Sequence, residues 1–204
     1  RRIQKTYPEA TFTRAAKREK PTVFAAGCSF YKIFLLFFIG SLLGDLVETV
    51  FCRLTADVWM SRSSLVWGPF SVVWGLAMSF GTLLLYRYKD RSSSFLFLTG
   101  TLLGGVYEYL CSVFTELVFG TVFWDYSHIP FNLGGRINLL YCFFWGFAAV
   151  AWFRLVYPHL SGLIEKLPMK PGKILTWFLV AFMACNIAVS CLALSRYDSR
   201  SKGV

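Results

Sequence analysis

The sequence predicts an all-α integral membrane protein of about five transmembrane helices, the first four forming two parallel-repeat helical hairpins. Three observations lead there. Of 204 residues, 56% are apolar and 16% charged, and mean hydropathy is +0.54, whereas a soluble domain carries about 25% charged residues. The apolar excess lies in uncharged runs long enough to cross a hydrocarbon core about 30 Å thick, which takes about 20 helical residues. The pattern G-x-L-L-G-x-x-x-E occurs twice, at Gly40–Glu48 and Gly100–Glu108. The composition excludes disordered, collagen-like and disulfide-scaffold classes. No run alternates polar and apolar residues as a barrel strand must.

The elements follow in chain order. Residues 1–30 read as a basic cytoplasmic arm rather than a signal peptide, because no apolar core precedes Phe24. Its Lys and Arg suit the anionic cytoplasmic leaflet better than a nucleic acid, so no nucleic-acid partner is expected. Spans are expected at about Tyr31–Phe51, Trp67–Tyr86, Phe95–Phe119 and Ile137–Tyr157, which make a duplicated core over 31–157. Residues 158–173 read as a cytoplasmic interfacial segment, with Leu160, Leu163, Ile164 and Leu167 at helical spacing. A fifth span, Ile174–Leu194, falls within the last unit, 174–204. Fifteen Lys and Arg lie on the N-terminal side of this arrangement and six on the other. The positive-inside rule then puts the N-terminus of a multi-pass cell-membrane protein in the cytoplasm. Cys28, Cys52, Cys111, Cys142, Cys185 and Cys191 form no C-x-x-C pair and read as packing residues.

The repeat extends beyond its motif. Val73-Trp74-Gly75-Leu76-Ala77 in the second span matches Phe144-Trp145-Gly146-Phe147-Ala148 in the fourth. Two hairpins in the same orientation imply a pseudo-twofold axis along the membrane normal. Glycines four apart allow close helix approach, so the first and third helices are expected to meet through them.

Four acids fall inside the expected spans: Asp45, Glu48, Glu108 and Glu116. Each costs about 2.5–3.5 kcal/mol at the centre of a bilayer on insertion scales. The nearest cations, Arg53, Arg62 and Arg136, sit at the outer helix ends. The loop from Trp124 to Arg136 adds Asp125, Ser127, His128 and Asn132, folded by Pro130 and a Gly pair. A shared polar cavity opening outward is the expected geometry. The plainer alternative is that Glu48 and Glu108 only bond neighbouring helices or pair with Arg62 and Arg136. Likewise Asp125 with Arg136 reads either as a loop clamp or as part of a binding site. Trp67, Trp74, Trp124 and Trp145 read as packing and interfacial belt residues. No nucleotide-binding pattern is present and no metal-ligand spacing occurs, so no cofactor or metal is expected. Any ATP would be supplied by another subunit.

The two motif copies, together with Trp124-Asp125-Tyr126-Ser127, Pro130-Phe131-Asn132-Leu133-x-Gly135-Arg136-Ile137 and Trp145-Gly146, carry a resemblance. The chain resembles the type IV ABC-transporter membrane proteins, also labelled CmpB-like, over about Phe34–Tyr157. The resemblance implies a small multi-spanning membrane protein connected with transport.

The expected function is a transporter or permease subunit whose outward cavity handles a proton or cation. Glu48, Glu108 and Glu116 would bind it, with Asp45 and Arg62 beside them and Asp125, Asn132 and Arg136 at the mouth. Two rival readings remain open. One is a membrane-embedded enzyme acting on a lipid-linked or amphiphilic substrate, and the other a non-catalytic accessory subunit. Four core helices are few for a pathway, so association with a second copy, a partner membrane subunit or an ATPase is expected in the bilayer. The ligand, whether ion, small molecule or lipid, leaves no mark in the sequence.

Overall fold

The computed structural model describes residues 22–201. Most of the expected basic arm, and Lys202 of the tail, lie outside the described residues. Five helices follow one another: α1 (Phe30–Ala56), α2 (Val72–Leu85), α3 (Ser93–Phe119), α4 (Leu139–Glu165) and α5 (Met169–Ser201). Among the described residues four of these, all but α2, are long and apolar enough to cross a membrane.

Local chemistry sets the helix ends. Ser29 caps α1 by accepting from the Lys32 N–H, and Ser92 caps α3 by accepting from that of Phe95. Asp57 and Gly120 close these helices in the left-handed conformation, at φ 56° and 65°. Asn138 caps α4 through the Leu140 N–H at 2.8 Å.

Helix α2 departs from expectation. It has 14 residues, about 21 Å at 1.5 Å per residue, and begins five residues after Trp67. Gly68, at φ +85°, and Pro69 break the helix there. Residues 57–71 instead fold back along α1, until the Ser71 N–H reaches the Ser41 carbonyl at 2.9 Å. Ser41 lies in the middle of the 27-residue α1, so this irregular segment reaches well into the bundle. Non-helical backbone is tolerated at such depth only where its polar groups are paired by protein. They are. The Ser64 hydroxyl accepts from the Val72 N–H, the Ser63 hydroxyl serves Leu65 and Phe70, and the Asn186 amide of α5 pairs both backbone groups of Trp67. Leu65, Phe70 and Met183 form a small apolar core under this segment.

The remaining differences are local. A ribbon pairs Asn132–Leu133 with Ile137–Asn138 in the loop before α4. The expected interfacial segment 158–173 is helical in two parts: its first half prolongs α4 to Glu165, and its second opens α5 at Met169. Pro158 sits inside α4 because a wide π turn, Trp152–Val156, precedes it. That turn absorbs the hydrogen bond a proline cannot make. The principal core, with Phe24, Leu36, Leu96, Trp152 and Phe153, lies toward the Lys32 end of the bundle. Many large apolar side chains outside it are exposed, such as Leu102, Phe147 and Phe178, as lipid-facing residues are.

The motif glycines pair α1 with α2 and α3 with α4, not α1 with α3. A Cβ on Gly44 would run into Trp74, and one on Gly104 into Trp145. A Cβ on Gly75 would meet Ser41 and Phe37, and one on Gly146 would meet Thr101 and Phe97. The close approach that small residues allow is used inside each hairpin because the bulky partner of Gly44 and of Gly104, a Trp, is on the neighbouring helix of the same hairpin.

Candidate functional site

Where each glycine admits its tryptophan, the indole reaches one turn further to a glutamate. The Trp74 Nε1–H donates to Glu48 at 3.2 Å, and the Trp145 Nε1–H donates to Glu108 at 3.1 Å. The two indoles touch, with ring centroids 5.2 Å apart. The acids differ in their second partner. The other oxygen of Glu48 faces Arg62 Nε at 3.2 Å. The other oxygen of Glu108 accepts from the Tyr126 hydroxyl at 2.7 Å. Glu108 is buried, and among the described residues it has no ion pair.

Asp45 completes the cluster. It is 1% exposed, and among the described residues its carboxyl accepts only from the Ser61 hydroxyl, at 2.9 and 3.2 Å. Ser61 and Arg62 both come from the re-entrant segment, which therefore delivers the partners of both α1 acids. Burial and the facing Glu108 carboxylate push the Tyr126 phenol up from its ordinary range. Tyr126 is itself stacked on Tyr141 at 4.7 Å. Of the three carboxyls only Glu48 faces a guanidinium among the described residues, and the tryptophans that bond Glu48 and Glu108 touch each other.

The remaining predicted residues build the loop above. Arg136 pairs with Glu116 and donates to the Ser112 hydroxyl at 3.1 Å, so it clamps the ribbon onto α3 rather than binding Asp125. Asp125 accepts from the Ser127 N–H and hydroxyl at 2.8 and 2.9 Å. Those two bonds hold its carboxyl below the usual aspartate range. Asn132 spans the turn, donating to the Ile129 carbonyl and accepting from the Gly135 N–H. One cleft lies among apolar residues of α2, α3 and α4 and another between Lys89 and Glu165. None of the predicted acids lines either.

Sequence reading missed Ser61, Tyr126 and the role of the tryptophans. Trp74 and Trp145 stand out in the repeat, but their spacing from the glutamates is across helices and invisible along the chain. Tyr126 lies inside the Trp124–Ser127 motif, where an aromatic residue reads equally as an interfacial anchor.

The family model described as Putative ABC-transporter type IV matches residues 35–191. The chain belongs to this family. No curated protein and no solved structure matches it. The family region includes every acid of the cluster, the α3–α4 pair and all but the first turn of the α1–α2 pair. It also runs beyond the expected limit at Tyr157 to take in Asn186 and Ser190 of α5, the residues that hold the re-entrant segment.

Proposed function

We propose that this family member is a membrane subunit of a transport assembly in which Asp45, Glu48 and Glu108 form a proton- or cation-handling centre, with Arg62 as their resident counter-charge. The charge balance carries the reading. Asp45 and Glu108 are buried without an ion pair among the described residues, while Arg62 faces Glu48 alone; this leaves a negative excess, and buried charge is tolerated only when paired. A bound proton or cation restores the balance. Glu108, held by two neutral donors, is the group to which it binds; Asp45 is the second. Glu116, Asp125, Asn132 and Arg136 shape the mouth above.

The hairpins act as copies of one unit within residues 31–157. This is supported by the matched Gly44–Trp74–Glu48 and Gly104–Trp145–Glu108 contacts. The Arg62–Arg136 end faces outward and the N-terminus the cytoplasm, because Arg87, Lys89, Arg91, Arg154, Lys166 and Lys170 gather at the other end. The nucleotide chemistry in the family's description would come from a separate ATPase chain.

The test uses the indole N–H signals of Trp74 and Trp145 in the 15N-labelled full chain, assigned with W74F and W145F. Acidification, or addition of sodium or potassium, is expected to move the Trp145 signal more than the Trp74 signal, because Arg62 competes for the site at Glu48. Signals that stay fixed under both treatments overturn the proposal. One observation favours a second reading, an accessory subunit whose acids only tie helices together. Every buried side-chain polar atom among the described residues already has a partner. Fixed signals would support that reading.

A further inference from the structure

We infer that the cleft between the turn after α2 and the second half of α4 binds the phosphate group of an anionic phospholipid. The cleft has a volume of ≈ 480 Å³, within the range of about 300–1,000 Å³ typical of ligand sites. Lys89 and Arg154 line it from the two sides, together with the Ser161 hydroxyl. Both cations are held in place. The Lys89 ammonium lies 5.9 Å from the centre of the Tyr86 ring, and Arg154 donates to the Lys89 and Arg91 carbonyls and to Ser93. Arg154 is aimed from the π turn of α4, a distortion that recurs at functional sites.

The acids at the cleft would repel an anion, and the structure deals with each. Glu165 is neutralised by Lys32, which is completely buried and contacts it at 2.6 Å while also donating to Ser161. Asp90 is 85% exposed and pairs with Lys89 at the surface, an interaction weak enough to yield to a phosphate. A guanidinium with unused N–H donors suits a phosphate oxygen geometrically.

A lipid, rather than a free anion, is favoured by position. The cleft opens at the end of the bundle where Arg87, Arg91, Lys166 and Lys170 also gather, the distribution that attracts an anionic leaflet. Beside it, Tyr88 and Leu155 are exposed apolar surface against which acyl chains can lie.

The experiment is native mass spectrometry of the purified full chain in zwitterionic detergent, with phosphatidylglycerol or phosphatidylcholine added in equal amount. The wild type is expected to retain phosphatidylglycerol about tenfold better. Lys89→Glu should bring retention down to the phosphatidylcholine level without moving the lipid-free melting temperature, because Lys89 makes only surface contacts. Arg154→Lys, which keeps the charge but loses the planar fork, should reduce the preference in part. Inorganic phosphate in excess should fail to displace the lipid. Equal retention of both lipids, or a K89E chain that behaves as wild type, overturns the inference. Displacement by inorganic phosphate overturns the lipid assignment in favour of a free anion.

Discussion

Glu48 and Glu108 each accept from a tryptophan, yet only Glu48 faces a guanidinium. Removing that guanidinium should therefore cost more than removing the carboxylate it pairs with. Arg62→Ala leaves Glu48 without its counter-charge and is expected to destabilise the protein by about 1–3 kcal/mol, a partly exposed pair lying between surface and buried ones. Glu48→Gln in the same background should recover a good part of the loss. Unfolding in a denaturing detergent series checks both, and additive effects would contradict the pairing. Asp125 supplies a pH signature. Its folded pKa is lowered by Ser127, so its stabilisation is present above the unfolded value, near 3.9, and is lost as pH falls through the depressed folded value. The turn at residues 125–135 should loosen only below about pH 4, read from hydrogen exchange at the Ser127 N–H relative to its intrinsic rate. Asp125→Asn should lack that acid step; its persistence in the variant would contradict the assignment. At this scale the acids and arginines were legible from the sequence, because an ionisable residue in an apolar run is conspicuous. Their partners were not, because Ser61, Trp74, Trp145 and Tyr126 are ordinary residues until the helices are brought together.

Among the elements, α2 and the segment before it depart furthest from the pattern of the sequence. Hydropathy treats Trp67-Gly68-Pro69-Phe70 as the start of a span, since all four are uncharged. Backbone chemistry decides otherwise, and the segment is held in the bundle by hydrogen bonds from α5. Asn186 is completely buried and pairs both backbone groups of Trp67. Asn186→Leu should cost about 1–3 kcal/mol, the desolvation of groups left unpaired, and should raise protease or exchange sensitivity in residues 57–71. Unchanged protection there would show that α5 does not hold the segment. Helix pairing was half legible. The glycine pattern announced close contacts, but only the position of the tryptophans assigns those contacts to the hairpins. Gly44→Ala and Gly104→Ala should each destabilise by about 1–3 kcal/mol through overpacking, and each should release the indole bond to its own glutamate only. Loss of both indole signals from one substitution would mean the hairpins are not independent.

For the whole molecule, composition, apolar run length and repeat spacing were enough to place the chain in a membrane and in its family. Those signals accumulate over tens of residues and tolerate local error. Lys and Arg are many at the Lys32 end and sparse at the other, and the two polar regions lie at opposite ends. One end holds the excess of carboxyls, the other the cationic cleft. The most direct measurement is an experimental structure of the full chain in a lipid bilayer, determined at low and high pH and with potassium or sodium present, and read around Asp45 and Glu108. Ordered non-protein density is expected within hydrogen-bond or coordination distance of these carboxyls, with the Tyr126 hydroxyl turned away when a cation replaces it. Carboxyls closed on Trp145, Tyr126 and Ser61 alone under every condition would contradict it.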